Sequence, residues 1–576
     1  MKPFKKSAAW LAICLLLGGT LPAINNETAP QTYKIIAKNK WLFFPVKSRG
    51  TPSKVQILVD GEVVRWLGTQ LTDKNPDWWA PTDISQFKGK TLTLRLAEGT
   101  PEDFAALSTI HQGDKWDKRD EIYHEPLRPL FHFSSERGWL NDTNGPVYYG
   151  GEYHLFYQHN PVSWKSGGQH WGHAVSRDLV HWTELGEALY PDKLGPMYSG
   201  SAVVDKKNTS GFGADGIAPL VLVYTAAGSP HTQCVAYSTD GRHFTKYSGN
   251  PVVPWIGGGN RDPQVFWHEP TQRWIMAVYV DGPVPGDKDV LQYSVHILTS
   301  PNLRDWTPAS VVEGGRGGDY FLSECPNLFP LAVDGDPRQT KWVLMGAYCA
   351  YVVGTFDGKV FVPETPRRST QTCYDFTAPQ VLNNEPHGRV VQIGWLHAES
   401  PGMPFNQCMS VPRELTLRSS PGGPRLCVYP IKELEVLRGQ SRTLRSSILQ
   451  TGSNPLEGIP WQVTDIMADL TPGKTGQIIF DLHGKTVTYK AATGQLIVDG
   501  VANPLPLVNG SVRLRILIDR TSIEIYGADG LVYVPAAYIP SNPMDSTLSL
   551  SAAGEPIKIN TLECYKMNSI WLTAKD

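Results

Sequence analysis

The chain has 576 residues, 41% of them hydrophobic, enough for more than one buried core. Its 53 Lys and Arg against 55 Asp and Glu leave a formal charge of −2, which excludes the basic footprint of a nucleic-acid or anionic-membrane binder and favours a neutral partner. An aromatic content of 10%, with 54 Gly and 46 Pro, favours many short strands and turns over long helices.

From the N-terminus, Lys2, Lys5 and Lys6 precede an apolar run from Ala8 to Leu17, and small residues near Ala23 end it. This is the layout of a secretory signal peptide over residues 1–23, which places the mature chain in the periplasm, at the cell surface or in the medium. Cys14 does not make this a lipidation site, because Ile13 before it is bulky and the apolar region is short. No later stretch reaches the ~20 apolar residues of a membrane-spanning helix. The remaining cysteines, at 234, 325, 349, 373, 408, 427 and 564, show neither metal-ligand spacing nor a dense disulfide framework, and their odd number leaves at least one thiol free or paired between chains.

Residues 30–120 carry alternating runs such as KVQILVD (54–60) and TLTLRL (91–96), which predict a small N-terminal β-sandwich-like domain. Trp66, Trp78 and Trp79 suit either a sugar-stacking platform or ordinary packing, and packing is the preferred reading. Residues 125–425 contain a repeat: SRDLVHWT at 176, STDGRHFT at 238 and SPNLRDWT at 300, at equal intervals of 62 residues, with a weaker copy, TFDGKVFV, at 355. Strand-like runs at this period predict propeller blades of four antiparallel strands, and about 300 residues accommodate five. The repeated Asp and aromatic are read as a turn that anchors each blade. Residues 430–576 alternate again, clearest in VRLRILID (512–519) and SIEIY (522–526), and predict a C-terminal β-sandwich.

Residues at one phase of successive blades converge on one axis. Starting from Asp142, the equivalent positions are Tyr198 to Ser201, Asp262, Glu324 and Asp375. Carboxylates gathered at one end of an axis suit glycoside hydrolysis, in which one carboxylate attacks or stabilises the anomeric carbon and a second carboxyl protonates the leaving oxygen.

The local sequences sharpen this. HFSSERGWLNDTNGP (132–146), NRDP (260–263) and ECP (324–326), in that order, resemble the signatures of glycoside hydrolase family 32, the invertases, inulinases and levanases. Gln158, Trp171, Ser199, Trp395, VPREL (411–415) and LRILIDRTSIE (514–524) match further stretches, so the resemblance spans roughly residues 125–570. It implies a five-bladed propeller followed by a β-sandwich. It makes Asp142 the nucleophile, Glu324 the general acid/base and Asp262 the group that holds hydroxyls of the fructosyl ring and stabilises the transition state. Residues 30–120 are similar to the N-terminal accessory domain of some bacterial fructan hydrolases.

On this reading Asn141, Gln158, Trp171, Ser199, Arg261 and Trp395 surround a fructan or fructosyl-oligosaccharide substrate, and no metal or organic cofactor is needed. Each has a second reading: Trp139, Trp171 and Trp395 suit the propeller core, although the pocket is preferred for Trp171. Arg261 suits a pairing with Glu324 or Asp142, and Gln158 a strand hydrogen bond. Cys325 is read as a small buried neighbour. Thr143 and Asn260 stand where the family pattern has Pro and Phe, and both are expected to tune activity or pocket shape. Exo-hydrolysis of a fructan is the preferred activity, with endo-action, fructosyl transfer and non-catalytic fructan binding as the alternatives.

Overall fold

The computed structural model describes residues 31–571, apart from 49, 117, 118, 372 and 374. The expected signal peptide, 1–23, lies outside the described residues. At the N-terminal end the strands Thr32–Ile36, Thr91–Glu98, Ser53–Val59 and Glu62–Thr69 pair in that order, and Trp78–Asp83, Trp41–Val46 and His111–Gly113 form a second sheet. Alternate residues of both sheets, among them Leu42, Phe44, Val55, Ile57, Leu92 and Leu94, enclose one apolar core, as period-2 patterning requires. A short helix, Pro101–Leu107, interrupts the strands. Thr100 and Asp103 start it with a reciprocal capping box, which satisfies backbone donors that a first turn leaves unpaired.

A β-propeller follows. Its sheets are consecutive antiparallel meanders: Gly138–Tyr149 to Trp182–Leu189, Met197–Val204 to Thr245–Lys246, Arg261–His268 to Thr307–Arg316, and Asn327–Val333 to Phe361–Pro363. The closing unit, built from Phe376–Val381, Val391–Leu396, Arg413–Arg418 and Arg425–Pro430, joins the preceding one at a single parallel bridge, Val333 to Leu417. Phe405–Asn406, an excursion from this last unit, pairs in parallel with Gly138–Trp139 of the first inner strand and so ties the two ends of the ring together.

The repeated octapeptide lies between the third and fourth strands of four successive units, at the end remote from the start of the inner strands. Asp178 Oδ1 accepts from the N–H groups of Val180 and His181 at 2.9 and 2.8 Å. Asp240 does the same for Arg242 and His243, Asn302 for Arg304 and Asp305, and Asp357 for Lys359 and Val360. The next residue is left-handed in every copy: Leu179, Gly241, Leu303 and Gly358, with φ of 66°, 66°, 64° and 96°. The repeat is therefore an Asx turn.

The C-terminal segment packs a six-stranded sheet, Arg438–Leu449 to Val532–Ala537, on a five-stranded one that includes Gln477–Leu482 and Leu548–Ala553. Ile466, Phe480, Ile516, Leu550 and Leu562 fill the space between, giving a β-sandwich. Its joint with the propeller combines an apolar cluster, in which Phe376 and Leu415 meet Leu517, Tyr526 and Tyr533, with a buried polar contact. Asp519 accepts from the backbone N–H groups of Leu130, Phe131 and His132 and from His132 Nδ1 at 2.8 Å, and His132 Nε2 faces Glu524 at 3.8 Å. All seven described cysteines are free thiols.

Candidate active site

Four inner strands, those beginning at Gly138, Met197, Arg261 and Phe376, carry a break in their ladder near their first residues. The register with the second strand shifts between Leu140 and Thr143, Tyr198 and Gly200, Arg261 and Gln264, and Thr377 and Gln380. Such bulges re-aim side chains that regular pleating would send into the sheet interface. Asn141 and Asp142, Ser199, and Asp262 sit inside these shifts, so equal phase along the chain becomes equal placement around the axis. Glu324 lies just ahead of the inner strand Asn327–Val333. Asp262, Glu324 and Cys325 have φ of 61°, 55° and 39°, a left-handed conformation that costs non-glycine residues energy and clusters where function demands a fixed side-chain direction.

The three acids meet through two intermediaries. The Cys325 thiol lies 3.8 Å from Asp142 Oδ2 and 3.6 Å from Asp262 Oδ2, and the Cys325 N–H donates to the same Asp262 oxygen at 3.2 Å. Arg261 grips Glu324 Oε1 through Nε at 3.1 Å and Nη2 at 2.8 Å, and its Nε is 3.9 Å from Asp262 Oδ2. The guanidinium is itself fixed by the Gly259 carbonyl, by Asp281 Oδ2 at 3.3 Å and by the Tyr279 ring 4.5 Å beneath it. Asp142 accepts from Ser199 Oγ at 2.7 Å and from Asn141 Nδ2 at 3.4 Å.

Burial raises the Asp142 carboxyl to about 6, with the Ser199 hydrogen bond working against that rise and the Glu324 charge adding to it. Burial raises Asp262 as well, and the Arg261 charge only partly offsets this. Burial and the flanking carboxylates push the Cys325 thiol well up, so it is a neutral spacer with no nucleophilic character.

The remaining expected residues divide. Ser199 reaches Asp142, and Arg261 is at the centre of the cluster. Trp395 is half-buried, 5.9 Å edge-on from Trp139 and 3.8 Å from His397. Trp171 is 0% exposed and donates its indole N–H to the Tyr198 carbonyl at 3.0 Å. Gln158, 2% exposed, donates to the Met197 carbonyl at 2.8 Å, which is its strand-partner reading. Oriented by these neighbours, the Asn144 amide oxygen accepts from Gln158 Nε2 and Trp171 Nε1, and its nitrogen donates to Ser199 Oγ. These residues act on Asp142 from behind, through Ser199. Asp375 turns away and accepts from the Ala537 N–H at 3.0 Å.

The two departures from the family pattern are buried. Thr143 packs its hydroxyl on Met409 Sδ at 3.3 Å. Asn260 Oδ1 accepts from Gln233 Nε2 at 2.8 Å, Gln233 Oε1 accepts from Thr225 Oγ1 at 2.7 Å, and Thr225 Oγ1 accepts from the Asp262 N–H at 3.0 Å. This relay fixes the backbone of Asp262. Thr225 and Gln233, like Tyr279 and Asp281, carry no motif signal, because their partners at Arg261, Asn260 and Asp262 are 18 to 37 residues away. The only signal was the polar Asn260 where an aromatic is usual. A row of tyrosines, 279, 293, 320 and 348, with ring centres 5.0–6.1 Å apart, runs from Arg261 round Glu324. Trp255, 54% exposed and bonded to the Gly258 carbonyl, stands nearby.

Comparison with known proteins bears on this geometry. Residues 132–430 match the family model described as glycosyl hydrolases family 32 N-terminal domain, and 433–566 match its C-terminal counterpart. A levanase of Bacillus subtilis is 38% identical over 498 residues, spanning 78% of this chain and 72% of that protein. An extracellular exo-inulinase of Aspergillus niger is 30% identical over 541 residues, spanning 78% of this chain and 96% of that protein. Among solved structures, the exo-inulinase from Aspergillus awamori superposes with a TM-score of 0.67 at 28% identity, over 78% of this chain and all of that one. A β-fructofuranosidase from Schwanniomyces occidentalis complexed with fructosyl-erythritol gives 0.66 at 26%, over 77% and 98%.

Proposed function

Because the chain belongs to glycoside hydrolase family 32, and so is a fructan β-fructosidase, we propose that it acts by retention and releases fructose from the ends of fructan chains. The reading rests on one observation: Asp142, Asp262 and Glu324 are gathered around Cys325 and Arg261 at the starts of their inner strands.

A terminal fructosyl unit enters with its anomeric carbon against Asp142. Above a pH of about 6 this carboxyl is ionised, and its oxygen bonds to the anomeric carbon as the bond to the leaving oxygen breaks. Glu324 gives its proton to that oxygen, and the aglycone leaves as an alcohol. Asp262 accepts hydrogen bonds from ring hydroxyls, which strengthen as positive charge grows on the ring. Water then attacks the fructosyl ester, Glu324 takes its proton, and Asp142 departs as carboxylate. Arg261 orients Glu324 throughout. Secretion is part of the proposal, supported by the signal-peptide layout of residues 1–23 and by relatives described as extracellular.

Chromatographic profiling of products from levan, inulin and sucrose tests the proposal, with Asp142→Ala and Glu324→Ala beside the wild type. Fructose is expected as the sole early product, with rates lowered about 10²–10⁴-fold or more by either change. A covalent fructosyl adduct on Asp142 should accumulate in Glu324→Gln and be visible by mass spectrometry. Oligosaccharides as first products would assign endo-action, and products longer than the substrate in concentrated sucrose would assign transfer. No release from any of the three would overturn the reading.

A further inference from the structure

The N-terminal module meets the propeller at one place with a defined relation to the pocket. In each unit the loop between second and third strands lies at the same end as the bulges. In the first unit this loop is residues 161–169, between Glu152–Asn160 and His170–Ser176. The module grips that loop along its length. Thr69 Oγ1 donates to the Val162 carbonyl at 2.7 Å, Ser163 Oγ donates to Gln70 Oε1 at 2.7 Å, and Asn160 Nδ2 donates to the Gly68 carbonyl at 2.9 Å. Val162 is part of the module's own apolar core. Two glycines allow backbone to touch backbone: a Cβ on Gly68 would sit 2.9 Å from the Gly167 carbonyl carbon, and one on Gly168 would sit 2.5 Å from the Gly68 nitrogen.

The contact is passed on. Trp78 of the module stacks edge-on against Trp164 with ring centres 4.9 Å apart. The Trp164 indole donates to the Met403 carbonyl, and Asn406 Nδ2 donates to the Trp164 carbonyl at 3.1 Å. Met403 and Asn406 belong to the excursion 397–407, whose residues Phe405 and Asn406 pair with Gly138 and Trp139, immediately before Asn141 and Asp142. The path therefore runs from the module, through two loops, to the strand that carries Asp142 and the Trp139–Trp395 pair. Trp66, Trp78 and Trp79 do not make a common face. Trp78 is spent on Trp164, Trp66 lies under the Lys54 ammonium at 4.6 Å, and Trp79 stacks edge-on against His111 at 4.5 Å.

We propose that the N-terminal module is a brace for the pocket rim, holding loops 161–169 and 397–407 where they receive the leaving-group side of the substrate, and that it sets preference for longer fructan chains without itself binding polymer. This rests on the fructosidase reading for its substrate but not for its mechanics. The bulges that hold Asp142 and Asp262, and the Arg261 grip on Glu324, belong to the propeller itself, so loosening the brace alters reach for the aglycone more than the bond-breaking step.

Gly68→Ala, which forces the two backbones apart, and Thr69→Val, a milder change that removes one bond, test it in the full chain, with Trp79→Ala as a comparison. Amide hydrogen exchange of 161–169 and 397–407 should quicken in the first two variants and not in the third; unchanged exchange in both overturns the brace, whatever the activity. In kinetics, Gly68→Ala should raise KM for levan or inulin at least about fivefold, more than for sucrose, with kcat within about twofold. A fall in kcat with KM unchanged, or a loss of levan affinity in Trp79→Ala that Gly68→Ala lacks, overturns it. A wild type inactive on all three substrates while exchange responds as expected would retire the fructosidase reading and leave the mechanical brace standing.

Discussion

Asp142 must be ionised to attack, and its carboxyl titrates at about 6 because it is buried. The acid limb of kcat/KM should therefore fall near pH 6. Ser199 donates to this carboxylate and works to lower its pKa, so Ser199→Ala should move that limb to higher pH, measurable in a pH profile on sucrose. Thr225→Val keeps the shape of Thr225 but leaves the Asp262 N–H and the Gln233 oxygen buried without their partner, at about 1–3 kcal/mol each. Its melting temperature should drop, and kcat/KM should fall by roughly tenfold, the rate equivalent of about 1.4 kcal/mol; Thr225→Ser, which restores the hydroxyl, should recover most of both. The three acids were legible in the sequence because each sits in a short local motif. The relay behind Asp262 was not, since hydrogen bonds that span 27 and 37 residues leave no mark on local pattern. Trp171 is similar: its buried indole donates to the Tyr198 carbonyl, 27 residues on, a contact that no local pattern records.

At the level of elements, the Asx turns explain why the repeat could be read at all. One side chain satisfies two or three backbone donors within four residues, so the chemistry is written contiguously. Asp240 is half-exposed, and Asp240→Ala should cost only about 1 kcal/mol, checked by urea denaturation. The bulges are the opposite case. They depend on how one strand registers against another, and only the regular spacing of Asp142, Ser199 and Asp262 hinted at them. The alternation of strands in 54–60 and 512–519 was legible because one face of each is buried in a two-sheet core. The capped helix at 101–107 was missed because its seven residues are too few for a 3.6-residue period to stand out.

Across the whole molecule, the propeller and the sandwich are joined by a charged histidine. Burial opposes ionisation of His132, but the hydrogen bond with Asp519 and the nearby Glu524 carboxylate outweigh it and raise the group from 6.5 to about 9. A folded-state value above the unfolded one stabilises the protein fully below a pH of about 6.5, and the contribution, on the order of 3 kcal/mol, is lost as pH rises through 9. Melting temperature against pH should show this alkaline decline in wild type, and His132→Gln should flatten it. The module–propeller contact, like this joint, could not be read from the chain, because it couples segments that have no shared pattern. The turns and the carboxylates occupy opposite ends of the same sheets, and that separation has an evolutionary consequence. Four turns built on one hydrogen-bond pattern are exchangeable parts, so duplication, drift or recombination among them can rewrite one face of the ring while the chemistry on the other face is inherited intact.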